Sequence, residues 1–174
     1  MKKLAVLISD TGTRTNLRAI IRAIEEKKLK AIISVVISDT HKKLEEYEVD
    51  YICLAGWKKI IPVSLMKKFP NRILNIHPGL IPDKLDGEVT NPDGTRALWN
   101  RGKYMDQAIK NFLDKKATYA GSTIHFLSNE FDFGPVLARC FEKIQPDDTV
   151  ESLYQRLKVK ENKIYVKALI KLCN

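Results

Sequence analysis

Apolar residues run unbroken through residues 4–8 and fill residues 31–37 except for Ser34. Runs of this kind, rich in β-branched side chains, suit strands buried on both faces of a parallel sheet. Between them Leu17, Ile20, Ile21 and Ile24 recur at helical spacing, and Glu25, Glu26, Lys27 and Lys28 close the solvent end. Strand, helix and strand at this length predict a βαβ unit with a right-handed crossover. A third strand is expected at 51–54, running into Ala55-Gly56. A short helix is expected from about residue 62 to 68, opening on Pro62, and a strand over 72–77. Residues 79–102 carry Pro82, Gly87, Pro92, Gly94 and Gly102 with no sustained period, so a long loop is predicted there. Loops of that length are commonly functional.

The periodicity resumes with Met105, Ala108, Ile109 and Phe112 on a helix over roughly residues 104–114. Strands follow near 122–127 and 136–141, antiparallel because only short turns join them. A last helix is expected from about 149 to 172, capped by Thr149 or Asp148. These elements predict a three-layer αβα fold of the α/β class. Its Rossmann-like sheet is mostly parallel, with antiparallel strands in the C-terminal part. A length of 174 residues fits one domain.

Composition narrows the partners. Hydrophobic residues make up 44% and charged residues 29%, which excludes a disordered chain. The net charge is +9, but its lysines fall in scattered pairs with no basic run carrying interleaved aromatics, so no nucleic-acid partner is expected. Anionic small substrates remain compatible with that charge. Cys53, Cys140 and Cys173 lie far apart and are odd in number, which fits a reducing, cytoplasmic setting. The N-terminal apolar run is too short for a signal peptide or a membrane span, so no membrane partner is expected. No metal-ligand cluster is evident.

Candidate chemistry gathers in four places. In Arg-Ile-Leu-Asn-Ile-His-Pro-Gly-Leu-Ile-Pro, residues 72–82, strand alternation puts Asn75 and His77 on one face, just before Pro78 and Gly79 end the strand. Open α/β sheets bind ligands at the carboxyl ends of their parallel strands, although His77 could also simply cap a strand end. Residues 121–136 place His125 on a strand, where it suits a core position, and Asp132 in a tight turn before Gly134-Pro135. Asp favours turns with or without a catalytic task. The first strand ends in Ser-Asp-Thr-Gly-Thr-Arg-Thr-Asn at residues 9–16, where free amides at a helix start, hydroxyls and Arg14 would suit a phosphate or merely cap the helix. Finally, Glu161 interrupts the apolar stripe of the last helix, a position that demands either an ion-pair partner or a use.

Together these pieces resemble the folate-dependent formyltransferase family. The resemblance rests on the T-N-L-R-A-I helix start at 15–20, L-A-G-W-K-K-I-I at 54–61, N-I-H-P-G-L-I-P at 75–82, and H-F-L-x-x-E-F-D-F-G-P-V at 125–136. It implies a formyltransferase fold and transfer of a formyl group from 10-formyltetrahydrofolate, without a metal, to a small phosphorylated amine. The acceptor implied is glycinamide ribonucleotide, with an amino sugar or a non-catalytic folate-binding role as alternatives. It further implies that Asn75, His77 and Asp132 are catalytic. Leu54, Gly56, Trp57, Ile60, Ile61, Leu74 and Phe131 would line the folate pocket. Gly12, Thr13, Arg14, Thr15, Asn16 and Pro78 would bind the substrate, with Glu161 on its ribose. Three departures stand out. Segment 38–50 is short, so the N-terminal half is trimmed. Arg14 occupies a position where the family favours Gly, and the 83–103 loop is long.

Overall fold

The computed structural model of the protein describes residues 1–9, 14–38 and 44–174. Six strands form one sheet: β1 (Lys2–Ile8), β2 (Ala31–Ser38), β3 (Tyr51–Leu54), β4 (Ile73–His77), β5 (Tyr119–Phe126) and β6 (Val136–Lys143). Their spatial order is β2-β1-β3-β4-β5-β6. The first four strands run parallel, and β5 and β6 run antiparallel to their neighbours. The chain leaves β1 for β2 on one side and returns to β3 on the other. The carboxyl ends of β1 and β3 therefore flank the point where the strand order reverses, the usual ligand crevice of such sheets.

One face of the sheet is covered by α1 (Thr15–Glu25) and α4 (Val150–Cys173). Here Leu4, Val6, Ile8, Leu74 and Ile124 pack against Ile20, Tyr165 and Leu169. The stripe expected of α1 turns inward at Ile20, whereas Ile21 sits at its rim and is exposed. On the opposite face Ala5, Leu7, Ile52, Leu54 and Ile73 pack against Ile61 and the apolar side of α2 (Val63–Lys68). Pro62 precedes that helix in an extended conformation, just outside the first turn rather than within it. In the trimmed segment a single 3₁₀ turn (Leu44–Tyr47) leads from β2 toward β3, with no further helix or strand among the described residues. The periodicity of so short a turn is too brief to read from sequence.

Residues 79–81 double back over β5 on the second face. The Ile81 amide donates to Thr123 Oγ1 (3.0 Å), and Thr123 Oγ1 donates to the Gly79 carbonyl (2.6 Å). Leu80 lies directly over Gly121, where an added Cβ would come within 2.0 Å of its Cδ2. α3 (Met105–Asp114) places Ile109 and Phe112 against Leu153 and Leu157 at the start of α4. That start is a reciprocal cap in which the Ser152 amide donates to Thr149 Oγ1 (3.1 Å) and the Thr149 amide to Ser152 Oγ (3.0 Å). Far along α4, the buried Tyr165 hydroxyl donates to the Leu54 carbonyl (3.1 Å), tying the helix to the end of β3.

Candidate active site

β4 lies between β3 and β5, and its alternation turns Asn75 and His77 to the face opposite α1 and α4. His77 is 2% exposed. Its Nε2 lies 2.7 Å from the main-chain carbonyl oxygen of Trp99. A carbonyl can only accept, so Nε2 carries the hydrogen. The other ring nitrogen, Nδ1, faces Asp132 Oδ1 at 3.7 Å. Burial pushes the His77 pKa below its usual range, against the opposing pull of the Asp132 charge and the Trp99 carbonyl.

Asn75 pairs in register with His125 on β5. Its Nδ2 lies 3.3 Å from His125 Nε2, and His125 Nδ1 lies 3.0 Å from the carbonyl of Phe126. That carbonyl requires a donor, so Nδ1 holds the hydrogen and Nε2 accepts from the Asn75 amide. Burial, with the nearby His77 adding to it, pushes the His125 pKa down to about 4 and keeps the ring neutral. The amide of Asn75 is thereby oriented, and Nδ2 retains a second N–H. The two imidazoles stand perpendicular, 6.5 Å apart.

Asp132 adopts the left-handed conformation, φ 49°. The turn that carries it closes tightly, for a Cβ on Gly134 would lie 2.0 Å from the Phe126 carbonyl oxygen. The Gly102 amide donates to Asp132 Oδ2 (2.7 Å), and the Trp99 indole donates to its main-chain oxygen (3.0 Å). Trp99, Gly102 and the His125 bridge were not expected in the site. The only sequence signal for Trp99 and Gly102 was the length of the loop that carries them, which has no period to say what it touches. An adjacent Gly79 makes that contact possible, since a Cβ there would sit 1.7 Å from the Trp99 carbonyl oxygen.

The expected folate residues divide. Leu54 and Ile61 are buried on the Asn75 face, Trp57 packs beside them, and Gly56 turns the chain with φ 81°. Leu74 does not belong with them: it is 0% exposed and faces α1 and α4, because alternation sends it to the side opposite Asn75. Ile60 is 86% exposed and leaves the apolar wall to its neighbour Ile61. Phe131 is an exposed aromatic whose carbonyl accepts from Arg101 Nε (2.9 Å).

At the substrate end, Gly12 and Thr13 lie outside the described residues. Arg14 precedes α1 in the left-handed conformation, φ 56°, the geometry that makes Gly the easier residue there. Thr15 Oγ1 and Asn16 Oδ1 are buried with no hydrogen-bond partner among the described residues. Asn16 Nδ2 donates to Glu161 Oε1 (3.4 Å). Glu161 is 0% exposed, also accepts from Ser122 Oγ (3.1 Å), and pairs with Lys158 one turn earlier in α4. The structure thus joins Asn75, His77 and Asp132 on one face and Glu161 with Asn16 on the other. Pro78, half-buried, directly follows His77 at the end of β4.

A mixed sheet with a strand-order reversal, polar groups gathered at the carboxyl end of β4 and an acidic turn after its antiparallel neighbour define an α/β protein with a candidate site at the carboxyl ends of its parallel strands. Within that class, the chain belongs to the formyl transferase family, whose model matches residues 39–169. The chloroplastic phosphoribosylglycinamide formyltransferase of Arabidopsis thaliana is 38% identical over 130 residues, which cover 75% of this chain and 40% of the relative. The phosphoribosylglycinamide formyltransferase of Dictyostelium discoideum is 29% identical over 95% of both chains. Among solved structures, glycinamide ribonucleotide transformylase 1 of Symbiobacterium toebii superposes with a TM-score of 0.79 at 28% identity, covering 97% of this chain and 86% of that one. The chain therefore spans less than half the length of the Arabidopsis relative and nearly all of the Dictyostelium one.

Proposed function

We propose that this protein transfers a formyl group from 10-formyltetrahydrofolate to the amine of glycinamide ribonucleotide, a step of purine biosynthesis. The observation that carries the reading is the meeting of Asn75, His77 and Asp132 at the end of β4, with Nδ1 of the imidazole turned to the carboxylate. The names of the relatives support the acceptor. Apolar Leu54, Trp57 and Ile61 on the same sheet face as Asn75 suit a flat aromatic ring, and Thr15 Oγ1 and Asn16 Oδ1, buried without a partner among the described residues, suit a polar substrate.

The folate supplies the formyl carbon. When an amine adds to that carbon, the formyl oxygen becomes negative and needs donors already in place. Asn75 Nδ2 offers one N–H, fixed by His125. His77 offers a second once Nδ1 is protonated, which a negative oxygen beside the ring favours. Asp132 orients that charged ring and takes the proton lost by the attacking amine, through water, for return to the departing folate nitrogen. No step of this sequence calls for a metal. Residues 1–174 act as one domain in this reading, supported by their shared six-stranded sheet. A reducing compartment, the cytoplasm, is supported by three free thiols, of which Cys53 and Cys140 are buried.

Incubation with 10-formyltetrahydrofolate and glycinamide ribonucleotide should release tetrahydrofolate. An Asp132→Asn variant should lose on the order of 10²-fold or more in kcat, the usual share of a proton-transfer group. Turnover with an amino-sugar nucleotide and none with glycinamide ribonucleotide would reassign the acceptor, and folate binding without any transfer would make the chain a binding module.

A further inference from the structure

Four consecutive residues, 99–102, strap the outside of the site, and they lie in the stretch that is longer than the family pattern leads one to expect. The Trp99 carbonyl holds His77 Nε2 (2.7 Å), the Trp99 indole holds the Asp132 carbonyl (3.0 Å), and the Gly102 amide holds Asp132 Oδ2 (2.7 Å). Arg101 lies over the Trp99 ring, 5.1 Å from its centroid, and also binds the Phe131 carbonyl. Asn100, in the middle, touches neither His77 nor Asp132. It is 6% exposed, takes the left-handed conformation with φ 58°, and uses its whole carboxamide. Nδ2 donates to the carbonyls of Pro78 (3.1 Å) and Ala108 (3.3 Å), and Oδ1 accepts from Asn111 Nδ2 (2.7 Å).

Those three bonds reach two different bodies. Pro78 directly follows His77 at the end of β4, while Ala108 and Asn111 belong to α3. Asn is one of the few residues with a side chain that tolerates a left-handed backbone. Its amide can also face two carbonyls and one donor at once. A surface loop in need of a turn alone would not require a buried carboxamide bridging a strand end to a helix.

We propose that Asn100 is a positioning residue for the formyl-transfer reaction: it clamps the 99–102 strap so that the Trp99 carbonyl keeps the hydrogen of His77 on Nε2. Nδ1 is then the nitrogen left to exchange a proton with Asp132 and the reacting oxygen. This rests on the function proposed above for the site. Without the clamp the Trp99 carbonyl shifts, both neutral tautomers of His77 become populated, and part of the protein must take up the ring's second proton at Nε2, which has lost its acceptor, instead of at Nδ1 beside Asp132.

The test uses Asn100→Gly, which keeps the left-handed backbone accessible and removes all three bonds, with Asn111→Ala as a milder second variant. In the unliganded full chain, ¹⁵N signals of the imidazoles, assigned with a His77→Gln variant, should show a single Nε2–H tautomer for the native protein and a mixture for Asn100→Gly. Turnover should fall by about 10²-fold, the cost typical of a small misplacement at a reacting centre, with KM for both substrates changed less than about threefold, since uniform binding is untouched. A variant with lower melting temperature but an unchanged tautomer and kcat would overturn the inference, leaving Asn100 a structural residue. Should Asn100→Gly fail to fold, the same two readouts on Asn111→Ala decide. If the native protein turned over no acceptor, the reading of function would fall, while the tautomer measurement would still decide whether the strap sets the ring.

Discussion

His77 shows how little of a residue's task is written in its own position. Alternation along β4 places it on the same face as Asn75, and the structure agrees on that face. The identity of its protonated nitrogen comes from Trp99, 22 positions away along the chain. Gly79 occupies the crossing point. A Cβ there would lie 1.7 Å from the Trp99 carbonyl oxygen, which is main chain and cannot swing aside. Gly79→Ala should therefore displace the strap, at a cost of about 1–3 kcal/mol typical of overpacking, and lower kcat more than folate affinity. Urea midpoints together with steady-state kinetics would check this, and native kcat in the variant would contradict it. Glu161 is the opposite case. Its place on an apolar stripe announced a carboxylate with a partner or a use, and the structure supplies the partners Lys158, Ser122 and Asn16.

At the scale of elements, period-2 and period-3.6 patterns are local, so they survive into the fold with shifts of a few residues at the ends. β5 begins at Tyr119, earlier than the apolar run suggested, because small residues Ala120 and Gly121 pair in register with Glu142 and Phe141 of β6. α4 starts where Thr149 was expected to cap it. Thr149→Ala removes the acceptor for the Ser152 amide and should cost about 1 kcal/mol. Amide exchange should rise first in the turn at 150–153, ahead of the segment near Tyr165. Uniform loosening along the whole helix would show that the cap is not what holds its start. The 79–102 loop was legible as a loop, yet its course over β5 was not, since turn residues specify bends and carry no record of what lies beneath them.

Across the molecule, the sheet buries two imidazoles side by side in a protein whose remaining charges lie mostly at its surface. His125 is held down to about 4, chiefly by burial. Below its ordinary value near 6.5 the unfolded chain takes up a proton that the folded state refuses, so stability is full above pH 6.5 and declines as pH falls toward 4. The shift corresponds to about 3 kcal/mol. His125→Gln, which keeps an acceptor for Asn75 and a donor for the Phe126 carbonyl, should flatten that decline. Between pH 7.5 and 4.5 the urea midpoint of the variant should then fall less than that of the native protein. Equal falls in the two proteins would remove His125 as the origin. What the amino-acid order determined by itself was the kind and succession of elements, the faces of β4 and α4, and the residue types available for chemistry, because these depend on neighbours a few positions apart. Only the tertiary structure decided that the 99–102 strap closes on His77 and Asp132, and that Glu161 is sealed beside Asn16. Each of those depends on which surfaces distant segments find when the sheet closes, and hydrophobic burial selects them without leaving a period in the chain.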